Sequence, residues 1–206
     1  MDSKPSSSSP AALPAPVYLP AEDYDREKIL IAGPFGIGKT TAIETVSEIK
    51  SLHTEEVMTH AAADVDDLHV EDKTTTTVAI DFGRLTLPQA GIVLYLFGTP
   101  GQERFRPMWK DHALGALGVL ILVDTRRLDD SFDVMDLVEE SGLDYAIAVN
   151  QFPDAPEYDL DIVRAKLDLE DHTPIVTVDA RDRGSTLNAL KVLTAYLITR
   201  AGDATS

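Results

Sequence analysis

Residues 28–40, KILIAGPFGIGKT, contain the stretch that decides the fold. The segment KILIA is typical of a buried strand, and the segment TTAIETVSEIK, which begins at Thr40, is typical of a helix. Between them Gly33–Thr40 match the spacing G-x-x-x-x-G-K-[ST]. In that motif backbone N–H groups converge on phosphate oxygens at the N-terminus of a helix. Because the motif has the strand and the helix that it requires, the sequence predicts a phosphate-binding loop.

The motif assigns chemistry to individual residues of this loop. The ammonium group of Lys39 would neutralise charge on the β- and γ-phosphates, and the hydroxyl of Thr40 would ligate Mg²⁺. The backbone N–H groups predicted to face the phosphates belong to Gly36, Ile37, Gly38, Lys39, Thr40 and Thr41. The chain is therefore predicted to bind a nucleoside phosphate.

Composition narrows the class of protein. The chain has 206 residues, of which 44% are hydrophobic, no cysteine and a net charge of −17. The length fits one domain with a tail, and the missing cysteine excludes disulfides and thiolate metal sites. The negative charge argues against nucleic acid or an anionic membrane surface as a direct partner. The first residues have no apolar segment, and no apolar run is long enough to span a bilayer, so we expect a cytoplasmic protein without a direct membrane anchor.

The distribution of apolar runs predicts the fold class. Residues 1–25 are rich in Ser and Pro and are interpreted as a disordered tail before a domain at 26–206. The runs KILIAG, IVLYLFG, GVLILVD, YAIAVN and PIVTVDA are typical of strands covered on both faces. Their alternation with amphipathic stretches predicts an α/β fold with a mostly parallel six-stranded sheet and helices on both faces. The sixth strand, TTVAIDFGRLTL, is joined to the next only by PQA and is therefore predicted to be antiparallel. A long polar segment, 51–73, precedes it.

The order of the remaining motifs carries a family resemblance. After the phosphate loop come GTPGQERF, NQFPD and, before the last helix, VDARDR. Across Arg26–Ala201 this order resembles the Ras-like small GTPases. The bacterial gliding-polarity GTPases and the actinobacterial conservon-type GTP-binding proteins are the most similar branch, because the Thr run before DFG and the segment FGTPGQ match that group.

The resemblance implies a P-loop NTPase G domain that binds GTP or GDP with Mg²⁺ and hydrolyses GTP as a signalling switch. It also implies two partners, a roadblock-domain regulator and a sensor-kinase-like component. Membrane association is expected only through such a partner.

The resemblance also implies roles for residues outside the phosphate loop. Thr77, with Thr76 as the next choice, matches the threonine of switch I that binds Mg²⁺ and the γ-phosphate. Gly101 would contact the γ-phosphate, and Gln102 would orient the attacking water, which makes Gln102 and Lys39 the predicted catalytic residues. The residues predicted to contact the base are Asn150, Gln151, Asp154, Ala180 and Arg181.

Four residues depart from the family pattern. Gly98 stands where an aspartate normally supports the magnesium, and Phe35 stands at a loop position where bulk hinders hydrolysis. Gln151 replaces a lysine whose stem packs on the base, and Pro153 replaces the aspartate that reads guanine. We therefore expect slow hydrolysis that depends on a regulatory partner.

Two nearby acidic residues are candidates to replace the missing groups. Asp81 lies on the neighbouring strand and could support the magnesium in place of an aspartate at position 98; the alternative is that it only orients the hairpin. Asp154 follows Pro153 and could reach the guanine edge; the alternative is relaxed base choice that includes ATP. With both losses the chain would be a pseudo-GTPase scaffold with weak nucleotide binding and no significant hydrolysis.

Two further features leave alternatives open. Arginines near the predicted site could supply an internal arginine finger, or they could be solvated surface residues: Arg84, Arg104, Arg106, Arg126 and Arg127. Phe105, Met108 and Trp109 are spaced to share one helical face, which could pack into the core or dock a partner.

Overall fold

The near-continuous apolar runs form the centre of one sheet. The computed structural model describes residues 24–58, 76–100, 108–153 and 155–203. The strands are β1 (Asp25–Ala32), β2 (Leu52–Met58), β3 (Thr76–Leu87), β4 (Ile92–Gly98), β5 (Ala116–Val123), β6 (Tyr145–Asn150) and β7 (Ile175–Val178). The helices are α1 (Lys39–Val46), α2 (Trp109–Ala113), α3 (Phe132–Glu140), α4 (Leu160–Lys166) and α5 (Arg183–Asp203). Single 3₁₀ turns lie at Pro88–Ala90 and Leu128–Ser131.

The order of the strands places a crevice beside β1. The sheet order is β2-β3-β4-β1-β5-β6-β7. Strand β3 is antiparallel to both β2 and β4, and the pairs from β4 through β1, β5 and β6 to β7 are parallel. In such sheets ligands bind outside the carboxyl ends of the strands, where the order reverses direction. That point lies at the end of β1, where the chain enters the predicted phosphate loop.

The core has two layers because successive residues of the central strands point to opposite faces. Ile29 and Ile31 belong to one buried cluster with residues of α1 and α5, including Ile43 and Leu193. Leu30 belongs to a second cluster, which contains residues of α2, α3 and α4. Each layer covers one face of the sheet, and this double coverage explains why the strand sequences are apolar at nearly every position.

The predicted fold class is confirmed: the sheet is mostly parallel, β3 is antiparallel, and helices cover both faces. The described sheet has seven strands, however, because part of the polar segment forms β2 at the edge of the sheet. An edge strand needs no continuous apolar run, so its sequence, LHTEEVM, carries a weak signal. Strand β1 begins at Asp25, one residue before the predicted start of the domain, and residues 1–23 lie outside the described part of the chain.

Helix α2 begins at the only tryptophan of the chain. Trp109 is 6% exposed, and its indole Nε1 donates a hydrogen bond of 2.6 Å to the hydroxyl of Ser141. For Trp109 the core-packing interpretation is therefore the one that the structure supports, whereas Phe105 lies outside the described residues. Among the helices of the described ranges, none is long and apolar enough to cross a membrane.

The contact between β5 and α5 leaves no room for a side chain at position 118. A Cβ atom on Gly118 would lie 2.6 Å from the nearer methyl group of Leu197 and 2.9 Å from the carbonyl oxygen of Asp144. We expect Gly118→Ala to lower the free energy of unfolding by about 1–3 kcal/mol, because the Leu197 side chain and the backbone at Asp144 must shift to accommodate the methyl group. Urea denaturation followed by far-UV circular dichroism measures this change.

Gly202→Ala, in the last turn of α5, is the control. Apart from the backbone of its own helix, a Cβ atom there would meet no heavy atom within 4 Å, so the added methyl group should change stability by no more than about 1 kcal/mol, in the stabilising direction. Equal stability of Gly118→Ala and the wild type would contradict the packing described here.

Candidate nucleotide-binding site

The loop between β1 and α1 depends on glycine at two close approaches. Gly33 has φ 137°, and a Cβ atom on it would lie 2.5 Å from the carbonyl oxygen of Leu122 in β5. Gly38 has φ 103°, and its Cβ would lie 2.9 Å from the side-chain nitrogen of Asn150. Residues with a side chain rarely adopt such backbone conformations, and here they would also clash. These glycines allow the chain to turn sharply after β1, so that α1 begins at Lys39.

Lys39 folds back over the loop that precedes it. Its Nζ donates hydrogen bonds of 2.8 Å to the carbonyl oxygens of Gly33 and Pro34. Burial lowers the pKa of Lys39 to about 8; the carboxylate of Asp81 opposes the shift and the charge of Arg127 adds to it. The ammonium group is therefore held by neutral carbonyl groups, a partnership that an anion such as a phosphate can replace with a stronger, charged one.

Asn150 joins the phosphate loop to the far end of the site. Its side-chain nitrogen donates 2.8 Å to the carbonyl oxygen of Ile37, and its side-chain oxygen accepts a 3.1 Å bond from the N–H of Ala180. Asn150 is 4% exposed and Ala180 is 2% exposed. One buried amide thus fixes the loop after β1 relative to the loop after β7, and it brings two of the predicted residues, Asn150 and Ala180, together.

A cavity of about 390 Å³ adjoins this amide. Its lining includes four predicted or departing positions, Asn150, Gln151, Pro153 and Arg181, together with Asp179. Arg181 is exposed, and its Nε and Nη2 donate 2.9 and 3.0 Å bonds to the carboxylate of Asp179. These bonds lower the pKa of Asp179. The cavity has the size and polar rim suited to a small ligand, and it lies at the carboxyl ends of β6 and β7.

Thr40 and Asp81 meet across the start of α1. The hydroxyl of Thr40 donates a hydrogen bond to the carboxylate of Asp81 on β3. Position 98 on the adjoining strand is what leaves space for that carboxylate, because a Cβ atom on Gly98 would lie 3.2 Å from both Cβ and Oδ2 of Asp81. An aspartate at 98 and one at 81 would therefore crowd each other, and in this chain the acidic group comes from β3.

A second acidic group, Asp124 at the end of β5, was not identified from the sequence as part of the site. Its side chain is 1% exposed and binds Arg126 through bonds of 2.9, 3.1 and 2.7 Å. Burial pushes the pKa of Asp124 upward, but the bonds from Arg126 and the charges of Arg126 and Arg127 outweigh it and lower the pKa. The available signal was a charged residue directly after a buried strand, at the ligand-binding edge of a parallel sheet.

Phe35, which was expected to crowd the site, projects outward and is 69% exposed. Its carbonyl oxygen accepts a 2.8 Å hydrogen bond from Nη2 of Arg127. Among the arginines proposed from the sequence, Arg127 is the one placed against the phosphate loop, whereas Arg104 and Arg106 lie outside the described residues. Arg84 lies near Glu48, with 3.7 Å between its Nε and the carboxylate.

Three predicted residues, Gly101, Gln102 and Asp154, lie outside the described residues. The backbone of Thr77 lies in β3, paired with Val57. It is four residues from Asp81 along an extended strand, or about 13 Å. The side chain of Thr77 lies outside the described residues, so its role as a metal ligand beside Thr40 stays a prediction.

A larger cavity of about 720 Å³ lies between α2 and α3. Its lining includes Trp109, Leu114 and Leu137, and none of the residues of the phosphate loop contributes to it. This cavity therefore gives no evidence about nucleotide binding, although it is larger than the one beside Asn150.

Comparison with known proteins identifies the family. Residues 31–199 match the family described as "conserved hypothetical ATP binding protein", and the chain belongs to this family. An uncharacterized protein of Methanocaldococcus jannaschii, MJ1339, is 26% identical over 129 residues, which are 62% of this chain and 71% of that protein. The Ras-related protein RABC2a of Arabidopsis thaliana is 30% identical over 112 residues, or 53% of this chain. The match covers 44% of RABC2a, less than half of its length.

Solved structures show the same fold. The cytosolic domain of the FeoB iron transporter of T. maritima, in its apo form, superposes with a TM-score of 0.60 at 15% identity. The match covers 84% of this chain and 64% of that one, just under two thirds of its length. The fold is thus that of the P-loop NTPase G domains, and the similarity to a Ras-related protein supports the coarser prediction of a small GTPase-like, nucleotide-binding protein.

The bridge made by Asn150 gives a prediction about stability. Asn150→Ala leaves the carbonyl oxygen of Ile37 and the N–H of Ala180 without this partner in a buried place. We expect the free energy of unfolding to fall by about 1–3 kcal/mol, measured by urea denaturation. Gln151→Ala, at the exposed next position, is the control and should change stability by less than about 0.5 kcal/mol. If both variants lose the same amount, the bridge does not stabilise the site.

Proposed function

We propose that this chain is a guanine-nucleotide-binding switch of the Ras-like type, which binds GTP and GDP with Mg²⁺ and hydrolyses GTP slowly. The observation that carries the proposal is the pair of hydrogen bonds made by Asn150. They hold the phosphate loop and the cavity beside Ala180 at a fixed separation, as the two ends of one nucleotide require. The similarity to RABC2a, named a Ras-related protein, and the G-domain fold are consistent with it.

The phosphate end would be bound by groups of the loop after β1 and of the first turn of α1. Backbone N–H groups at the start of α1, from Gly36 to Thr41, would donate to phosphate oxygens. Lys39 would exchange its two carbonyl partners for the β- and γ-phosphates. At pH 7 its lowered pKa still leaves most of the lysine protonated.

The donor set fits magnesium. Thr40 and Asp81 offer hard oxygen atoms, and Gly98 provides the space in which the carboxylate sits. The described residues contain no group of three or more His, Cys, Asp or Glu side chains able to hold a metal ion by themselves. Mg²⁺ in nucleotide sites is bound by few protein ligands together with phosphates and water. Thr40 would hold the ion, Asp81 would orient Thr40 or a bound water, and the ion would neutralise phosphate charge.

The proposed switch also uses residues outside the phosphate loop. Gly101 would contact the γ-phosphate, Gln102 would orient water, and Thr77 would join the metal only after leaving its pairing with Val57. The Thr run before DFG and the segment FGTPGQ support the gliding-polarity and conservon-type branch, with a roadblock-domain regulator and a sensor-kinase-like component as partners. We propose a cytoplasmic protein that reaches membranes only through such partners, with the tail at 1–25 preceding a G domain at 26–206.

A second candidate function is base-unselective binding by a scaffold without significant hydrolysis. Two observations favour it: Pro153 lines the cavity where an acidic reader of guanine is expected, and the family description names ATP. A site that hydrogen-bonds the purine edge would reject the wrong base by about 10⁴-fold. In the first candidate function, Asp154 is the residue that we propose to hydrogen-bond the guanine edge.

Calorimetric titration of nucleotide-stripped protein with GTP, GDP and ATP, each with and without Mg²⁺, separates the two candidates. We expect Mg²⁺-dependent binding of GTP and GDP, with ATP bound at least about 10³-fold more weakly. Equal affinities for GTP and ATP would contradict the guanine-specific switch and support base-unselective binding by a scaffold. No binding of any nucleotide would overturn both.

The position of Asp81 predicts that this residue contributes to the effect of Mg²⁺ on nucleotide affinity. We expect Asp81→Asn to reduce the Mg²⁺-dependent gain in GDP affinity by about 10–100-fold, because an amide orients the Thr40 hydroxyl without a negative charge. The affinity measured in EDTA should stay near that of the wild type. The measurement is GDP titration at fixed protein concentration, with either excess Mg²⁺ or excess EDTA.

Two variants test whether the carboxylate or only the fold is responsible. Asp161→Asn removes an exposed carboxylate in the first turn of α4 and should leave the Mg²⁺ dependence unchanged. The double variant Asp81→Ala/Gly98→Asp moves the acid to the neighbouring strand and should recover part of the gain. Unchanged Mg²⁺ dependence in Asp81→Asn would rule out a role for Asp81 in the metal site.

A further inference from the structure

Two consecutive arginines after β5 differ in how firmly they are held. Arg126 donates to Oδ1 of Asp124 through Nε and to Oδ2 through Nη2, and its guanidinium carbon lies 4.3 Å from the centroid of the Phe152 ring. A bidentate bond to a buried carboxylate with an aromatic ring on the other side leaves little freedom of movement. Arg126 is therefore a structural brace between β5 and the loop after β6.

Arg127 has weaker partners. Its Nε lies 3.5 Å from Asp124 and its Nη1 lies 3.4 Å from Asp130, both longer than a good charge-assisted hydrogen bond. Its one short bond, 2.8 Å, goes from Nη2 to the carbonyl oxygen of Phe35. The side chain is 40% exposed. Its short bond is to a neutral carbonyl, and a phosphate oxygen that replaces this carbonyl would form a stronger, charge-assisted bond.

The guanidinium group of Arg127 also lies against the phosphate loop. Nη2 lies 3.8 Å from the point where a Cβ atom on Gly36 would be, at the beginning of the stretch whose N–H groups are assigned to phosphates. Lys39 binds the carbonyl oxygens of Gly33 and Pro34, and Arg127 binds that of Phe35, so the two cations lie against the same loop. Phe35 is turned outward, so its ring leaves this region open.

We propose, resting on the nucleotide binding proposed above, that Arg127 is a built-in catalytic arginine that leaves the Phe35 carbonyl for phosphate oxygens of bound GTP and stabilises the charge that develops during hydrolysis. In that reaction the oxygen of water bonds to the γ-phosphorus while the bond from the γ-phosphorus to the β–γ bridging oxygen breaks. The electron pair of the broken bond stays on the β-phosphate of GDP, and the proton of the water passes to inorganic phosphate or solvent. Arg127 would lie beside the bridging oxygen and compensate its growing charge.

The alternative is that Arg127 only braces the phosphate loop through Phe35. A brace would affect binding of GDP and GTP and the stability of the fold together. A catalytic arginine would affect the transition state far more than either nucleotide complex. Capture of aluminium fluoride by the GDP complex reports on the transition state directly, because the fluoride occupies the place of the transferring phosphoryl group.

The experiment uses the full chain with Arg127→Gln, Arg127→Lys and the control Arg200→Gln, whose arginine pairs with Asp144 outside the site. For each protein, without any partner, we measure GDP and GTP affinity, single-turnover hydrolysis of GTP, and capture of aluminium fluoride with GDP and Mg²⁺. We expect Arg127→Gln to bind GDP within about threefold of the wild type, to lose fluoride capture and to hydrolyse GTP at least about tenfold more slowly, arginine fingers being worth about 10³–10⁵-fold in rate.

Arg127→Lys should fall between the wild type and Arg127→Gln, because an ammonium restores the charge without the planar fork. Wild-type hydrolysis and capture by Arg127→Gln would overturn the catalytic role, as would parallel losses of stability, GDP affinity and rate. A wild type that binds GTP but neither hydrolyses it nor captures fluoride would also overturn it. If the wild type binds no nucleotide, the proposed function fails first, so the two failures are distinguishable.

Discussion

The approach of Gly33 to the carbonyl oxygen of Leu122 fixes where the phosphate loop leaves the sheet. With only 2.5 Å available to a Cβ atom, the chain can pass from β1 into the loop only without a side chain at that position. Everything after it follows from this turn: α1 begins at Lys39, and the Ile37 carbonyl meets Asn150. The packing of β1 against β5, two strands buried on both faces, therefore determines the geometry of the site as much as the loop sequence does.

A second constraint couples two neighbouring strands. The carboxylate of Asp81 on β3 occupies the space that the missing side chain of Gly98 on β4 leaves open, and from there it reaches the hydroxyl of Thr40. Asp81 and Gly98 therefore have to be interpreted together. Either strand could carry the carboxylate, but the space between the two strands holds only one such side chain. A departure from the family pattern at position 98 thus accompanies a matching residue at 81.

The sequence predicted the features that depend on local pattern. Apolar runs identified the buried strands, the loop PQA identified the antiparallel hairpin, and the glycine spacing of Gly33–Thr40 identified the phosphate loop with its lysine and threonine. Strand β2 was not predicted because an edge strand can be polar. The bond from Arg127 to Phe35 joins residues 92 positions apart, and no periodicity indicates which of five arginines makes it. Arg127 could be distinguished from the other arginines only from the folded structure, in which β5 packs beside the phosphate loop.

The hydrogen bond between Trp109 and Ser141 determines what an optical signal from this protein would report. The indole is 6% exposed and is tied to the residue that follows α3, while residues 101–107 precede it directly in the chain. Its emission should therefore be that of a buried indole. A change of fluorescence on exchange of bound nucleotide would report a change in the surroundings of this indole between α2 and α3. The signal of this natural probe therefore depends on the packing of α2 against α3.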